Sequence, residues 1–376
     1  MPQSHDYTAV PQPDEEPRTN SARVSTSDTP TCAIICAVAV SLIWLAFLLV
    51  SPRPFYAVLF TFVAILPAYL VALFVLRRFK DHAVSKSFLF SQFILGAVPL
   101  SFAVLIVETI IGLVIALTLF SSDMKKIKKL MAASVPSAQT HFNRNDLFQT
   151  IHTFNASSTD DKSASDLLAQ QVMEMLPLWK LLLMSILTAF VVAALTEELG
   201  KWLIARRYKL VNELEPNVDN ARSISCKGIL SVACMGALGF ATAEHALFSM
   251  GMSLAPSSGF PLAQLTTLTF RALLAFPIHV GTQCYIAVAT AQTFLFREPS
   301  RVLSALFLAV VFHGTFDATP FVLSLLYLKL GIPSWTMLLV PPVQVSLAVL
   351  LLVLCRGRYK ALLEKEQMLS TSDAAV

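Results

Sequence analysis

Residues 88–122 read FLFSQFILGAVPLSFAVLIVETIIGLVIALTLFSS, and Glu108 is the single charged side chain among them. A helix rises about 1.5 Å per residue, so some twenty apolar residues cross the roughly 30 Å hydrocarbon layer of a bilayer. This run does so with residues to spare. Residues 32–76 repeat the pattern with only Arg53 charged. The whole chain agrees, since 55% of its 376 residues are apolar and 14% charged, against about 25% charged in a soluble globular domain. A soluble fold is excluded, and the sequence predicts an all-α, polytopic membrane helix bundle.

Working outward, runs of spanning length fall at about 31–50, 54–76, 88–120, 181–205, 228–250, 264–295, 302–328 and 335–355, which predicts about eight transmembrane helices. The third run, with Pro99, and the sixth, with Pro277, exceed one span and are expected to kink or to include an interfacial segment. Residues 1–30 are polar and rich in Pro, Ser and Thr, the composition of a disordered tail. The first run starts too far into the chain for a signal peptide and reads as an uncleaved span. The six cysteines lie in or beside apolar runs without zinc-ligand spacing or a disulfide pattern, and read as small apolar side chains.

A formal net charge of +4 leaves no footprint for nucleic acid, so the basic residues matter by position. Arg77, Arg78 and Lys80, then Arg206, Arg207 and Lys209, then Arg297 and Arg301, then Arg356, Arg358 and Lys360 follow alternate runs. The positive-inside rule puts that side, and both termini, in the cytosol. Residues 121–177 then form a lumenal or extracellular loop, with Lys125, Lys126, Lys128 and Lys129 dissenting at its membrane edge. Asn155-Ala156-Ser157 in this loop is an acceptor for glycosylation, as in a secretory-pathway membrane. The expected division is a tail over 1–30, transmembrane helices over 31–120, a loop over 121–177, a helical core over 178–330, and a last helix with cytosolic tail over 331–376.

The core carries charges where lipid forbids them: Glu197, Glu198, Lys201, Glu244, His245, Arg271, His279, His313 and Asp317. Each mid-membrane charge costs about 2.5–3.5 kcal/mol unless paired or hydrated, so a polar cavity between helices is expected. Residues four apart share a helical face, which joins Glu197 to Lys201, Phe240 to Glu244 and His313 to Asp317. Lys201 can compensate Glu197. Asp317 can accept a ring N–H from His313 and leave its other nitrogen free. His279 brings a second imidazole from a separate helix. His245 points about 100° from Glu244 and reads as a packing residue, Arg271 is expected to snorkel to the outer interface, and Glu108 has no evident partner. Counting along the helices sets Glu197 toward the cytosolic end and Glu244 in the outer half. Their meeting requires the fifth helix to extend over Met250–Leu254 or to bend at Gly236 and Gly239.

In order, Glu197-Glu198-Leu199-Gly200-Lys201 fits EExxK, Phe240 to Glu244 fits FxxxE, His279 follows, and His313 to Asp317 fits HxxxD. This series over about residues 178–330 resembles the PrsW family of intramembrane proteases, which is related to the CAAX-type prenyl-protein endopeptidases. Those relatives carry a histidine where Glu244 stands here. The resemblance implies an intramembrane endopeptidase acting on membrane proteins from within the bilayer, with Glu197, Glu198, Glu244, His279 and His313 as catalytic candidates and Lys201, Phe240 and Asp317 in support. HExxH, GxSG and GxGD are absent.

Two chemistries remain open. In one, Glu197 or Glu198 activates a water and His313 stabilises the tetrahedral intermediate without a cofactor, which likeness to the CAAX-type relatives favours. In the other, His279, His313 and Glu244 hold zinc, and another glutamate is the base. The rival classes are an ion- or proton-coupled transporter, which would carry inverted repeats that this chain does not display, and a pseudoprotease scaffold.

Overall fold

A computed structural model describes residues 53–78, 84, 86–134, 171–214, 226–254, 262–296, 298–299 and 301–373, with isolated positions from 35 to 51. The tail, most of the first predicted span, Cys32, Cys36 and Asn155 lie outside the described residues. Among the described residues all regular structure is helical, and seven helices are long and apolar enough to cross a membrane. They run Pro54–Arg77, Lys86–Phe120, Leu178–Arg206, Cys226–Ser253, Gln264–Leu295, Val302–Leu330 and Ser334–Met368, matching the last seven runs read from composition.

The elements are α1 (Pro54–Arg78), α2 (Lys86–Leu95), a π-helical turn (Gly96–Leu100), α3 (Ser101–Phe120), α4 (Met124–Ser134), α5 (Leu178–Leu187), a second π-helical segment (Thr188–Leu195) and α6 (Thr196–Leu214). There follow α7 (Cys226–Leu254), α8 (Leu262–Leu295), α9 (Val302–Leu330), a 3₁₀ turn (Ser334–Leu339) and α10 (Val340–Asp373). Pro99 has no N–H to give and is absorbed by the first π turn, where Ser101 Oγ donates to Gly96 O at 2.8 Å. Pro277 instead lies within an α8 that continues through it.

α7 and α8 form the centre of the bundle, with 72% of each spanning window buried against 11% for Lys86–Phe120. α7 earns that position with small side chains, Ala233, Gly236, Ala237, Gly239 and Ala241, which let neighbouring backbones approach in the absence of a hydrophobic drive between helices. A Cβ on Gly239 would stand 1.9 Å from Phe93 O, and one on Gly96 would stand 2.1 Å from Gly236 O. Gly239→Ala should therefore destabilise the protein by about 1–3 kcal/mol, because backbone rather than a flexible side chain must yield. Gly251→Ala, with nothing within 4 Å of the added carbon, should be neutral. Thermal unfolding of both variants in detergent checks the pair, and equal midpoints would contradict this close approach.

Part of the predicted outer loop is helical. α4 packs Met124, Ile127 and Leu130 on Phe120, Val172, Leu176, Leu181 and Leu325, and turns Lys125, Lys126, Lys128 and Lys129 outward. Lys180 Nζ donates to Asp123 Oδ2 at 2.6 Å and fastens the turn between α3 and α4 to α5. That hydrogen bond holds the Asp123 carboxyl below its ordinary range.

Candidate active site

Four spans bring their ionisable groups together. α6 starts with Glu197 and Glu198 in its first turn and Lys201 one turn on. α7 supplies Phe240 and Glu244, α8 supplies Arg271, His279 and Thr282, and α9 supplies His313 and Asp317. Glu198 and Lys201 are fully buried, and Glu197, His279 and His313 are at most 4% exposed.

Glu198 Oε1 is the most heavily used acceptor. It receives Lys201 Nζ at 2.8 Å and Thr282 Oγ1 at 3.0 Å, and lies 2.8 Å from His313 Nδ1. Lys201 Nζ also reaches His279 Nδ1 at 2.8 Å and sits 5.0 Å over the Phe240 ring. A buried charge is tolerable only when paired and hydrogen-bonded, and here each sign compensates the other. Gln283 Nε2 donates to the Lys201 carbonyl at 2.8 Å, tying α8 to the same turn of α6.

The two imidazoles meet edge to face, with ring centroids 4.8 Å apart. His279 stands between two carboxylates: Nε2 is 2.8 Å from Glu244 Oε2, and Nδ1 is 3.5 Å from Glu197 Oε2. The ring bridges the levels that helix counting set apart, and α7 does extend to Leu254. Glu197 and Glu244 thus share one site.

Glu197 Oε2 has unusual surroundings. It lies 3.4 Å from Lys201 Nζ, 3.5 Å from His279 Nδ1 and 3.7 Å from His313 Nε2, yet is buried and takes no hydrogen bond. Among the described residues, Glu197, His279 and His313 form the group whose ligand atoms lie within 4.8 Å of one another, close enough to hold a metal ion. Zinc bonds of about 2.0–2.2 Å in tetrahedral geometry separate ligand atoms by roughly 3.4 Å, so the 3.5 and 3.7 Å spacings and the orphaned oxygen fit such an ion. The carboxylate of this group is Glu197, whereas Glu244 lies on the far side of His279.

Sequence spacing missed several partners. Arg271 does not snorkel outward; its Nη2 donates to Glu244 Oε1, and its guanidinium lies 4.6 Å over the Phe248 ring. Glu108 does have a partner, accepting from Thr196 Oγ1 at 3.2 Å. The nearest carboxylate to His313 is Glu198, at 2.8 Å from Nδ1, while Asp317 lies 3.3 Å from Nε2. The signal for Arg271 and Glu108 was present as lone charges within apolar runs, and the signal for Thr282 as a hydroxyl three residues after His279. His245 is fully buried, contacts Ala241 O through Nδ1 and stacks on Phe276, as a packing residue does.

The model of the PrsW family, described as intramembrane metalloproteases, matches residues 163–353, about half of the chain. The chain belongs to the PrsW family. Comparison with curated proteins and with solved structures finds no match. PrsW membership makes this an integral membrane protein of an intramembrane protease family, and the matched segment takes in all four motif-bearing spans, from α5–α6 through α9. α1 to α4 lie outside the PrsW match.

Proposed function

We propose that this chain is an endopeptidase that hydrolyses peptide bonds of membrane-associated proteins at a glutamate–histidine centre buried in its helix bundle. The observation that carries the reading is Glu197 Oε2, buried without a hydrogen bond between the ring nitrogens of His279 and His313. Glu197, His279 and His313 are the residues that would hold zinc, which when bound supplies a Lewis acid and an acidified water.

The remaining groups orient the two rings. Glu198, engaged at His313 Nδ1, leaves Nε2 facing Glu197, and Glu244, at His279 Nε2, leaves Nδ1 facing the same oxygen. Glu244 is 23% exposed, more open than Glu197 or Glu198, and is held between His279 Nε2 and the Arg271 guanidinium. There it fixes the orientation of the His279 ring and pairs with Arg271.

One observation favours a metal-free variant. Lys201 Nζ, 2.8 Å from His279 Nδ1 and 3.4 Å from Glu197 Oε2, already supplies a positive charge, and Glu197 would then be the base itself. Metal content decides between them. Full-length protein in proteoliposomes with a panel of single-span membrane proteins should contain one zinc per chain, lose cleavage on chelation and regain it with zinc. Undiminished cleavage by metal-free protein overturns the zinc assignment, and cleavage no different from that of Glu197→Gln overturns the peptidase reading.

A further inference from the structure

The geometry points to Glu108, in a helix outside the family match, as a positioning residue that sets Glu197 through Thr196; the inference rests on the peptidase reading above. Glu108 is the only charge from Phe88 to Ser122, and its α3 neighbours Leu105, Ile106, Val107 and Ile110 are exposed on the surface that faces lipid. A carboxyl there is costly, and one kept in such a place calls for a role. Its partner is specific. Thr196 Oγ1, 3.2 Å from Glu108 Oε1, also lies 2.5 Å from Val192 O and 3.0 Å from Ala193 O, the carbonyls of the last π-helical turn. Thr196 is the first residue of α6 and precedes Glu197.

One hydroxyl thus joins three things: a span that supplies none of the grouped ionisable residues of the site, the point where π geometry returns to α, and the residue that aims Glu197. Holding Thr196 fixes the direction in which Glu197 leaves the junction, so disturbing it should lower turnover more than substrate binding.

The test uses full-length protein in proteoliposomes and a single-span reporter cleaved by the wild type, with Glu108→Leu, Glu108→Gln, Thr196→Val and the double variant Glu108→Leu/Thr196→Val. Glu108→Leu should lower kcat about 10- to 100-fold at unchanged KM, and Glu108→Gln, whose amide can still hydrogen-bond Thr196 Oγ1, should restore most of kcat. The double variant should be no slower than the slower single variant, because both changes remove one bond. The unfolding midpoint of Glu108→Leu should hold or rise, since a costly carboxyl leaves a membrane-spanning helix. A wild-type kcat in Glu108→Leu, multiplying effects in the double variant, or a lowered midpoint accompanying the lost turnover would each overturn the proposal. If Glu197→Gln is inactive while the Glu108 variants cleave normally, this inference alone fails; a wild type that cleaves nothing removes both.

Discussion

Glu197→Gln is expected to lower kcat/KM for cleavage of a membrane-protein substrate by about 1,000-fold, the scale of losing a charged group aimed at the reacting centre. The substitution keeps size and shape but removes the negative charge on which both chemistries depend. With zinc, an amide is a poor replacement for the carboxylate of the ligand set. Without it, an amide cannot accept the proton of water at Oε2. Folding should be unharmed, because Oε2 takes no hydrogen bond in the native structure and its removal leaves no donor stranded. Turnover in proteoliposomes, measured beside the unfolding midpoint, tests this. Activity within tenfold of wild type would remove Glu197 from the centre.

The second large effect is on stability. Lys201→Met should destabilise the protein by about 3–5 kcal/mol, because a buried ion pair that loses one member strands the other. Lys201 Nζ is the cation on Glu198 Oε1 and stands beside Glu197, and all three side chains are nearly or fully buried. The double variant Lys201→Met/Glu198→Gln should regain much of the loss, since an apolar and a neutral group then replace two charges. Denaturant or thermal unfolding in detergent reads both. A single variant as stable as wild type would mean that water, rather than Lys201, compensates Glu198.

The spans were legible because lipid leaves a composition that water does not. Apolar runs of spanning length located the seven described crossings, and the exclusion of lone charges from hydrocarbon marked α6 to α9 as the candidate site. The i,i+4 rule anticipated that Glu197 and Lys201 would meet. It is silent about contacts between helices, so the Arg271 pair with Glu244 and the Glu108 contact with Thr196, 88 positions away, could not be read from it. His313 illustrates the limit: its own helix offered Asp317, while Glu198, 115 positions distant, comes closer to the ring. The π-helical segment Thr188–Leu195 has no signature in its apolar letters. Pro99 gave at least a reason to expect irregularity, although not its form.

That silent segment bears on how relatives of this chain are to be judged. A π segment holds more residues per turn than an α-helix, so the same residues from 188 to 195 rewound in α geometry would rotate everything downstream by about 100°. EExxK would still be spelled in full, with its first glutamate aimed at acyl chains. An intact signature therefore does not by itself certify a working enzyme; the winding of the unremarkable letters ahead of it must be inherited as well.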